Sequence, residues 1–364
     1  MKKNYLLLGA MALAGLFASC SQTETEDLAD NRTEIGKRVT FTATVPTEFA
    51  QPKTRTGGDD DVRHYIVEIW NSDGTTMLQR QEKIATDENA DKFSFDLENG
   101  TYQVLFWADK VASDAKKIVD HTLTFNNNTV TFDHYAEKYY KTVVVSSTGA
   151  GLRDVMINST GSDPDVFINK DVCDAFCHHE ELVKDANMVD MKVTLKRPLC
   201  KIILQQKNPT KETTTDLCKE IHIGKEYSDR NQYHLIYAVD YDIYTGEVGY
   251  TYTVKNTLTL LPNAATDGNL LYFYTFAPRK GGVLEGTTAY NNITIGFNKA
   301  DGSDKELEDL TIPGSSIPLK QNYNIYVKGN IIKEKTTGPT TAFTISTDAN
   351  WAGDDTTTDL DNSN

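Results

Sequence analysis

The residues with the clearest potential for chemistry lie between positions 173 and 179. Cys173 and Cys177 are four residues apart in the sequence, and His178 and His179 directly follow Cys177. Thiolate and imidazole groups at such spacing can bind zinc, but a structural zinc site needs a second ligand pair at comparable spacing. The sequence contains no such second pair. We therefore interpret these residues as structural or free thiols with neighbouring histidines, and we expect no metal.

Motifs typical of catalysis are absent from the sequence. It has no G-x-S-x-G nucleophile turn, no phosphate-binding loop, no H-E-x-x-H motif and no glycine-rich dinucleotide fingerprint. Consecutive aspartates at positions 59–61 lack the regular ligand spacing and the glycine of a calcium loop. We predict that the protein is not an enzyme, with no catalytic residue and no cofactor.

The chemistry that the sequence does predict is attachment of lipid to Cys20. Two lysines near the start precede an apolar run that ends at Ala18, and Ser19 stands directly before the cysteine. The run is shorter than the roughly 20 residues that a transmembrane helix needs. Residues 1–19 are therefore predicted to be a lipoprotein signal peptide. The alternative is an ordinary secretory signal followed by an incidental cysteine.

The overall charge of the chain limits its partners. The sequence has 52 acidic and 37 basic residues, for a formal net charge of −15. This balance argues against nucleic acid, whose phosphates require clustered Lys and Arg. It also repels anionic lipid headgroups, so contact with the outer membrane would depend on the lipid. Residues 20–36 are acidic and poor in apolar side chains, which predicts an acidic tether.

Four cysteines remain in the body of the chain. They could form three different sets of disulfide pairs, and the sequence does not choose among them or exclude free thiols. Cys200 lies in an apolar segment, where a small thiol is an ordinary core residue. The set consists of Cys173, Cys177, Cys200 and Cys218.

The elements that must position these residues are β-strands. Apolar and polar side chains alternate with a period of two through most of the body, as expected for strands with one buried face. Residues 71–74 predict a turn after the strand that ends at Trp70, and the pair Asn99-Gly100 predicts a tight hairpin. Alternating segments start near residues 39, 63, 93, 102, 191, 199, 217, 248, 270, 293, 323 and 343.

Two sets of strands predict an all-β protein with two domains. The first set occupies residues 37–188 and the second residues 189–335, and both read as antiparallel β-sandwiches. Between the sets, Asp171–Leu182 is predicted to form a short helix. Residues 336–364 contain a polar linker, a lone strand and a polar tail.

Several segments resemble the fimbrillin-like lipoprotein family of Bacteroidetes, the subunits of type V pili. Beside the signal peptide, the matching segments are residues 106–109 (FWAD), 195–202 (LKRPLCKI) and 318–327 (PLKQNYNIYV). The resemblance implies two transthyretin-like antiparallel β-sandwiches in tandem. It also implies assembly by strand exchange, in which a trypsin-like protease cuts after an arginine behind the first strand and a strand of another subunit fills the vacated groove.

The sequence offers residues for each role in that scheme. Arg55 is the preferred cleavage site because it lies in a Pro-, Gly- and Asp-rich segment behind the first strand. Arg38 and Lys53 are less favoured sites. The strand to be displaced carries Val39, Phe41, Ala43 and Val45, and the candidate donor strand carries Phe343 and Ile345.

Two functions from different classes follow. The first is a structural subunit of a cell-surface fimbria that polymerises with other fimbrial subunits and supports adhesion. The alternative is a cell-surface lipoprotein that binds glycans through stacked aromatic rings. The tryptophans at 70, 107 and 351 distinguish the two, because a coplanar exposed group favours sugars and burial favours the fimbrial subunit.

Overall fold

A computed structural model describes most of the body of the chain. The described residues are 38–46, 61–147, 149–158, 167–169, 171–188, 190–223, 225–227, 232–255, 258–284, 292–303, 305–335, 343–348 and 357–359. The predicted signal peptide, Cys20, the tether, Arg55 and Trp351 lie outside them. Within the described part, no helix has the length and apolar character needed to span a bilayer.

The N-terminal half consists of short strands. Their bounds are β1 Arg38–Thr44, β2 Val62–Trp70, β3 Met77–Ile84, β4 Lys92–Asp96, β5 Gly100–Val111, β6 Lys117–Phe125, β7 Asn128–Tyr135, β8 Tyr140–Lys141, β9 Val155–Ile157, β10 Phe176–Lys184 and β11 Asp190–Thr194. Two 3₁₀ turns, Gly151–Arg153 and Asp171–Cys173, connect them.

The C-terminal half is built in the same way. Its strands are β12 Leu199–Gln206, β13 Cys218–Ile223, β14 Lys225–Tyr227, β15 Gln232–Tyr241, β16 Val248–Lys255, β17 Leu258–Thr259, β18 Asn269–Phe276, β19 Gly282–Val283, β20 Asn292–Lys299, β21 Leu310–Pro313, β22 Pro318–Leu319, β23 Asn324–Gly329, β24 Phe343–Asp348 and β25 Thr357–Asp359. A one-turn helix, α1 Ala264–Asp267, and the 3₁₀ turn Gly314–Ser316 complete it. The predicted all-β class with tandem sandwiches is confirmed.

A sandwich of two sheets surrounds the first strand. The sheet β11-β1-β4 packs on the sheet β10-β5-β2-β3. All pairs within these sheets are antiparallel except β1 with β11, which is parallel. Apolar side chains alternate along β1 and β4, so every second residue points into the space between the sheets. That space is filled by a core of buried residues from both sheets.

The sheet β10-β5-β2-β3 is buried on its other face as well. Trp107 on β5 lies with its ring centroid 5.0 Å from that of Tyr140 and 6.4 Å from that of Phe276 on β18. Both tryptophans of this sheet belong to one large core that continues through the C-terminal sheet β18-β12-β23-β24-β25. The two halves of the chain therefore share a core.

The sheets do not divide at the predicted boundary between residues 188 and 189. β11 follows that boundary but pairs with β1 over Asp190–Thr194. β9 precedes it but pairs with β15 of the C-terminal half. Strand pairing over long sequence separations leaves no local mark in the sequence, because alternation shows that a strand exists but not which neighbour it has.

Two local predictions were wrong. Asp171–Leu182 forms no helix beyond the single 3₁₀ turn Asp171–Cys173. β10 pairs with β5 along nine residues from Phe176 to Lys184, and this long pairing overrides local helical spacing. Asn99-Gly100 makes no hairpin, because β4 and β5 lie in opposite sheets and the chain crosses between them there. The turn at residues 71–74 does connect the antiparallel pair β2 and β3, as predicted.

A buried network of charged side chains connects strands β2 and β3 of the sheet β10-β5-β2-β3 with strand β7. Arg80 on β3 donates to the carboxylates of Glu68 and, at 2.8 Å, of Glu82. Glu82 also contacts a ring nitrogen of His64 at 3.1 Å and one of His134 on β7 at 3.1 Å. All five side chains are buried. Charges in such a setting persist only because they are paired with each other.

Candidate functional site

The predicted displaced strand lies at the centre of its sheet. β1 pairs with β4 on one side and with β11 on the other. Its inward side chains are almost fully enclosed, with exposed fractions of 0% for Val39, 0% for Phe41, 2% for Ala43 and 7% for Val45. Withdrawal of β1 would therefore leave a groove with unpaired backbone groups along both walls.

Phe41 is the largest side chain that β1 places in the core. Its ring stands edge-on to Phe95 of β4, with centroids 5.8 Å apart, and to Phe106 of β5, at 5.7 Å. Burial of a side chain of this size contributes roughly 1.5–3 kcal/mol, and each aromatic pair adds about 0.5–1.5 kcal/mol. The strand is therefore held mainly by its inner face.

The outer face of β1 is bound more weakly. Arg38 donates from Nε to Asp96 at 3.1 Å, and both side chains are more than half exposed. An exposed ion pair of this kind contributes at most about 1 kcal/mol. The hydroxyl groups of Thr40 and Ser94 lie 3.4 Å apart. The contrast between the two faces identifies the inner residues as those that determine whether β1 stays in place.

A cavity of about 300 Å³ lies at the C-terminal end of β1. Arg63 at its wall donates to the hydroxyl of Tyr65 at 3.1 Å. The remaining lining comes from the ends of β1, β3 and β4, namely Ala43, Thr44, Val45, Ala85, Ala90 and Asp91. This end of the strand is thus less tightly packed than its middle. The chain continues from this end of β1 into residues 47–60, which include Arg55 and lie outside the described residues.

The predicted donor strand is β24, and in this chain it pairs within its own sheet. It runs antiparallel to β23, with Ile345 opposite Val327 and Phe343 opposite Gly329. Its other edge pairs with β25. Ile345 is half-buried against the large core. The structure therefore does not bring the displaced strand and the donor strand together, since they belong to different sheets of one chain.

The tryptophans test the glycan-binding alternative. Trp70 and Trp107 are both 0% exposed. Trp70 donates its indole N–H to Glu68 at 2.9 Å, inside the charged network. Neither ring can therefore stack on a sugar at the surface. For Trp70 and Trp107, this burial is the outcome expected of a fimbrial subunit, while Trp351, the third tryptophan of the comparison, lies outside the described residues.

The cysteine and histidine cluster at 173–179 has a structural environment. His178 contacts Glu180 at 3.0 Å, and His179 contacts the amide oxygen of Gln103 at 2.7 Å. Burial lowers the pKa of His179. In the residues that the structure describes, no group of three His, Cys, Asp or Glu side chains could hold a metal. The described cysteines, all of them buried, are Cys173, Cys177, Cys200 and Cys218.

Burial also controls the acidity of these thiols. It raises the pKa of Cys177 to about 12 and that of Cys200 to about 12. Buried thiols of this kind remain protonated at neutral pH and are inert, since the thiolate is the reactive form. The cysteines therefore serve as small apolar core residues.

The second wall of the groove was missed at the sequence level. Met191 and Val193 of β11 lie beside Phe41 and Ala43 of β1. The alternation of apolar and polar residues around Met191 and Val193 predicts a strand, but it places that strand in the second domain, residues 189–335. A parallel pairing across about 150 residues of chain has no local signal, so only the three-dimensional structure identifies β11 as a partner of β1.

Comparison with solved structures finds several matches of low identity. A protein from Bacteroides thetaiotaomicron described as an adhesin is 12% identical, covering 86% of this chain and 96% of that chain, with a TM-score of 0.39. A fimbrial assembly protein from Parabacteroides distasonis is 12% identical, covering 85% and 94%, with a TM-score of 0.39. The tip fimbrial protein Mfa3 from Porphyromonas gingivalis, with a C-terminal truncation, is 9% identical, covering 85% and 99%, with a TM-score of 0.39.

The match to a protein-family model covers nearly the whole body of the chain. A search of curated proteins returns no match. The model of a family of unknown function, DUF6562, matches residues 32–363. This range includes the candidate displaced strand, the candidate cleavage segment and the candidate donor strand. The chain therefore belongs to the DUF6562 family of unknown function.

Proposed function

We propose that this protein is a structural subunit of a surface fimbria that supports adhesion. In this proposal the chain is exported as a lipoprotein through Cys20 and reaches the outer surface of the cell. A trypsin-like protease then removes β1 together with the lipid, and a strand from another fimbrial subunit takes its place. The mechanism is assembly and involves no catalysis by the chain itself.

The observation that carries the proposal is the position of β1. It is the first described strand, yet it is central in its sheet and buries Val39, Phe41, Ala43 and Val45 in the core. No described strand precedes it, so β1 is joined to the other described strands through residues 47–60. One cut in that segment would therefore break the covalent connection between β1 and those strands.

The segment behind β1 suits proteolysis. Residues 47–60 join β1 to β2, which lies in the opposite sheet, and Arg55 stands within them. The cavity beside Val45 leaves that end of β1 less packed than the rest. We expect the cut strand to begin leaving from this end, since the fewest contacts must be broken there.

Loss of β1 creates the demand for a partner. The buried side chains of β1 contribute roughly 1.5–3 kcal/mol each for Val39, Phe41 and Val45. A chain with an empty groove would therefore be less stable by several kcal/mol, compared with a total free energy of unfolding of about 5–15 kcal/mol for a typical protein. A foreign strand can restore both the backbone hydrogen bonds and the side-chain contacts.

β24 is the donor in this proposal. It is a short strand near the C-terminal end, and its pairing with β23 places the half-buried Ile345 on the large core. Donation requires β24 to exchange that pairing for the groove of a neighbouring subunit. A chain that ends at Lys335 would then accept a strand but donate none.

The proposal is tested by trypsin treatment of the full chain, followed by gel electrophoresis without boiling. Because trypsin can also cut after Lys53, every arm carries Lys53→Ala, which leaves Arg55 as the basic residue of segment 47–60. We expect a ladder of oligomers from Lys53→Ala, the matched control, and no ladder from Lys53→Ala with Arg55→Ala. Equal ladders from these two variants would refute cleavage at Arg55.

A truncation separates donation from cleavage. The chain ending at Lys335 should be cut normally and should stop growth when it is mixed with wild type, because each added copy blocks one end. Continued growth at the wild-type rate would show that the donor lies elsewhere in the chain. Electron microscopy of cells that express each variant checks whether the oligomers are fimbriae.

A further inference from the structure

The strand β4 has one edge against β1 and one edge facing away from it. Ala43 donates its backbone N–H to the carbonyl of Asp91 at 2.8 Å. In an antiparallel pair only every second residue bonds to the neighbouring strand, so Asp91, Phe93 and Phe95 direct their backbone groups toward β1. The carbonyl groups of Lys92, Ser94 and Asp96 therefore point outward. An outward edge of this kind is a template for adding a further strand.

Side chains from β3 occupy this outward edge. Gln79 donates its amide to the carbonyl of Asp96 at 3.2 Å, and Gln81 donates to that of Ser94 at 2.7 Å. The ammonium group of Lys83 donates to the carbonyl of Lys92 at 2.7 Å.

The three donors are consecutive residues on one face of β3. The donor residues occupy every second position of β3, and the three acceptor carbonyls occupy every second position of β4. The three side chains therefore form a row of hydrogen bonds along the outward edge of β4. All three donors are half-buried, and Lys83 lies with its nitrogen 5.5 Å from the ring centroid of Phe93. The row closes one side of the sandwich, between the edge strands of its two sheets.

Other sheet edges in the described part of the chain are covered in a comparable way. The amide of Asn126 donates to the carbonyl of Thr75 at 3.1 Å, next to the start of β3. On β18, Tyr274 donates its backbone N–H to the carbonyl of Phe167 at 3.0 Å, and Tyr272 donates to the side chain of Asn169 at 2.9 Å. Protection of edges is thus a repeated feature of this fold.

We propose that Gln79, Gln81 and Lys83 determine where an incoming strand can bind. By occupying the outward carbonyls of β4, they restrict strand addition to the groove between β4 and β11 that β1 vacates. The inference rests on the proposed function for its biological role. The closure of the edge, however, is a property of the uncut chain and can be measured there.

The test uses the full, uncut chain with Cys20→Ser in every arm, so that the remaining native thiols are the buried ones. Ser94→Cys then provides an exposed thiol at the middle of β4. Two copies that pair antiparallel through their outward edges would bring these thiols together. Disulfide-linked dimer is followed over time on non-reducing gels.

With the row intact, we expect slow cross-linking. With Gln79→Ala and Gln81→Ala, the rate should rise at least about tenfold, because two carbonyls become free for ordinary backbone hydrogen bonds. The exposed pair Thr122→Ala and Thr131→Ala on the β6–β7 hairpin is the matched control and should not change the rate.

If the double alanine variant does not fold, the double variant Gln79→Met and Gln81→Met is used in its place. Methionine retains the side-chain volume of glutamine but lacks the amide donor. An unchanged cross-linking rate in folded variants of either kind would overturn the inference. That result would leave the cleavage and exchange of β1 unaffected, since no arm of this experiment is cut. Conversely, failure of Arg55→Ala to block assembly would not alter the cross-linking result.

Discussion

Phe41→Ala is the most direct test of the role given to β1. The ring is fully buried and contacts two other rings, Phe95 and Phe106, one in each sheet of the sandwich. Truncation of a buried phenylalanine to alanine costs about 3–5 kcal/mol, from lost transfer energy and the cavity that remains. The aromatic contacts on both sides place the expected loss in the upper part of this range.

The measurement is urea unfolding of the uncut chain. The midpoint should fall with little change in slope, because the variant exposes nearly the same surface on unfolding. Thr42→Ala, on the half-buried outer face of the same strand, is the matched control and should cost less than about 0.5 kcal/mol. Both substitutions lie on β1, so only the face of the strand differs between them.

The same substitution should alter the behaviour of the cut protein. A loss of 3–5 kcal/mol in retention of β1 corresponds to about 10²- to 4 × 10³-fold more vacated groove at equilibrium. Release of the β1 peptide after trypsin treatment should therefore be far more complete in Phe41→Ala, which size-exclusion chromatography can measure. A cost below about 1 kcal/mol, or equal release from both variants, would refute the conclusion that the inner face retains the strand.

Further predictions concern the charged network and the thiols. Burial opposes the charge of His64, but hydrogen bonds to Asp109 and Glu82 outweigh it and raise the pKa to about 10 from 6.5. The charged form of His64 therefore stabilises the folded state fully below about pH 6.5, and this stabilisation is lost as the pH rises through about 10. The free energy of unfolding measured in urea should fall over that pH range in the wild type, and it should fall less in His64→Gln. Arg80→Met removes the guanidinium charge that compensates the buried carboxylates of Glu68 and Glu82. It should cost about 3–5 kcal/mol by thermal or urea unfolding, whereas Arg38→Met, at an exposed pair, should cost under about 1 kcal/mol. The four buried thiols should react with a disulfide reagent only after unfolding in urea; rapid reaction in the native state would contradict their burial.

Much of the fold could be predicted from local pattern. The alternation of Val39, Phe41, Ala43 and Val45 indicated both the strand and its buried face, and all four residues are buried. The turn at residues 71–74 was also predicted, since its chemistry is local. These features depend on neighbouring residues only, which is why the sequence alone reveals them.

The errors arose where distant residues compete with local preference. The segment Asp171–Leu182 has spacing compatible with a helix, but nine residues of pairing with β5, from Phe176 to Lys184, make most of it a strand. Asn99-Gly100 has the composition of a hairpin turn, but the strands on either side enter different sheets. Local chemistry favours a type of turn, and it does not determine the destination of the chain.

By itself, the sequence determined the all-β class, the buried face of β1, the candidate cleavage residue Arg55 and the absence of familiar catalytic motifs. Only the tertiary structure decided that β1 is central, with β11 as its second partner, and that Trp70 and Trp107 are inaccessible to a ligand. The physical reason is the range of the interactions. Side-chain alternation is written into adjacent residues, whereas strand order and burial of a second face depend on contacts between segments far apart in the chain.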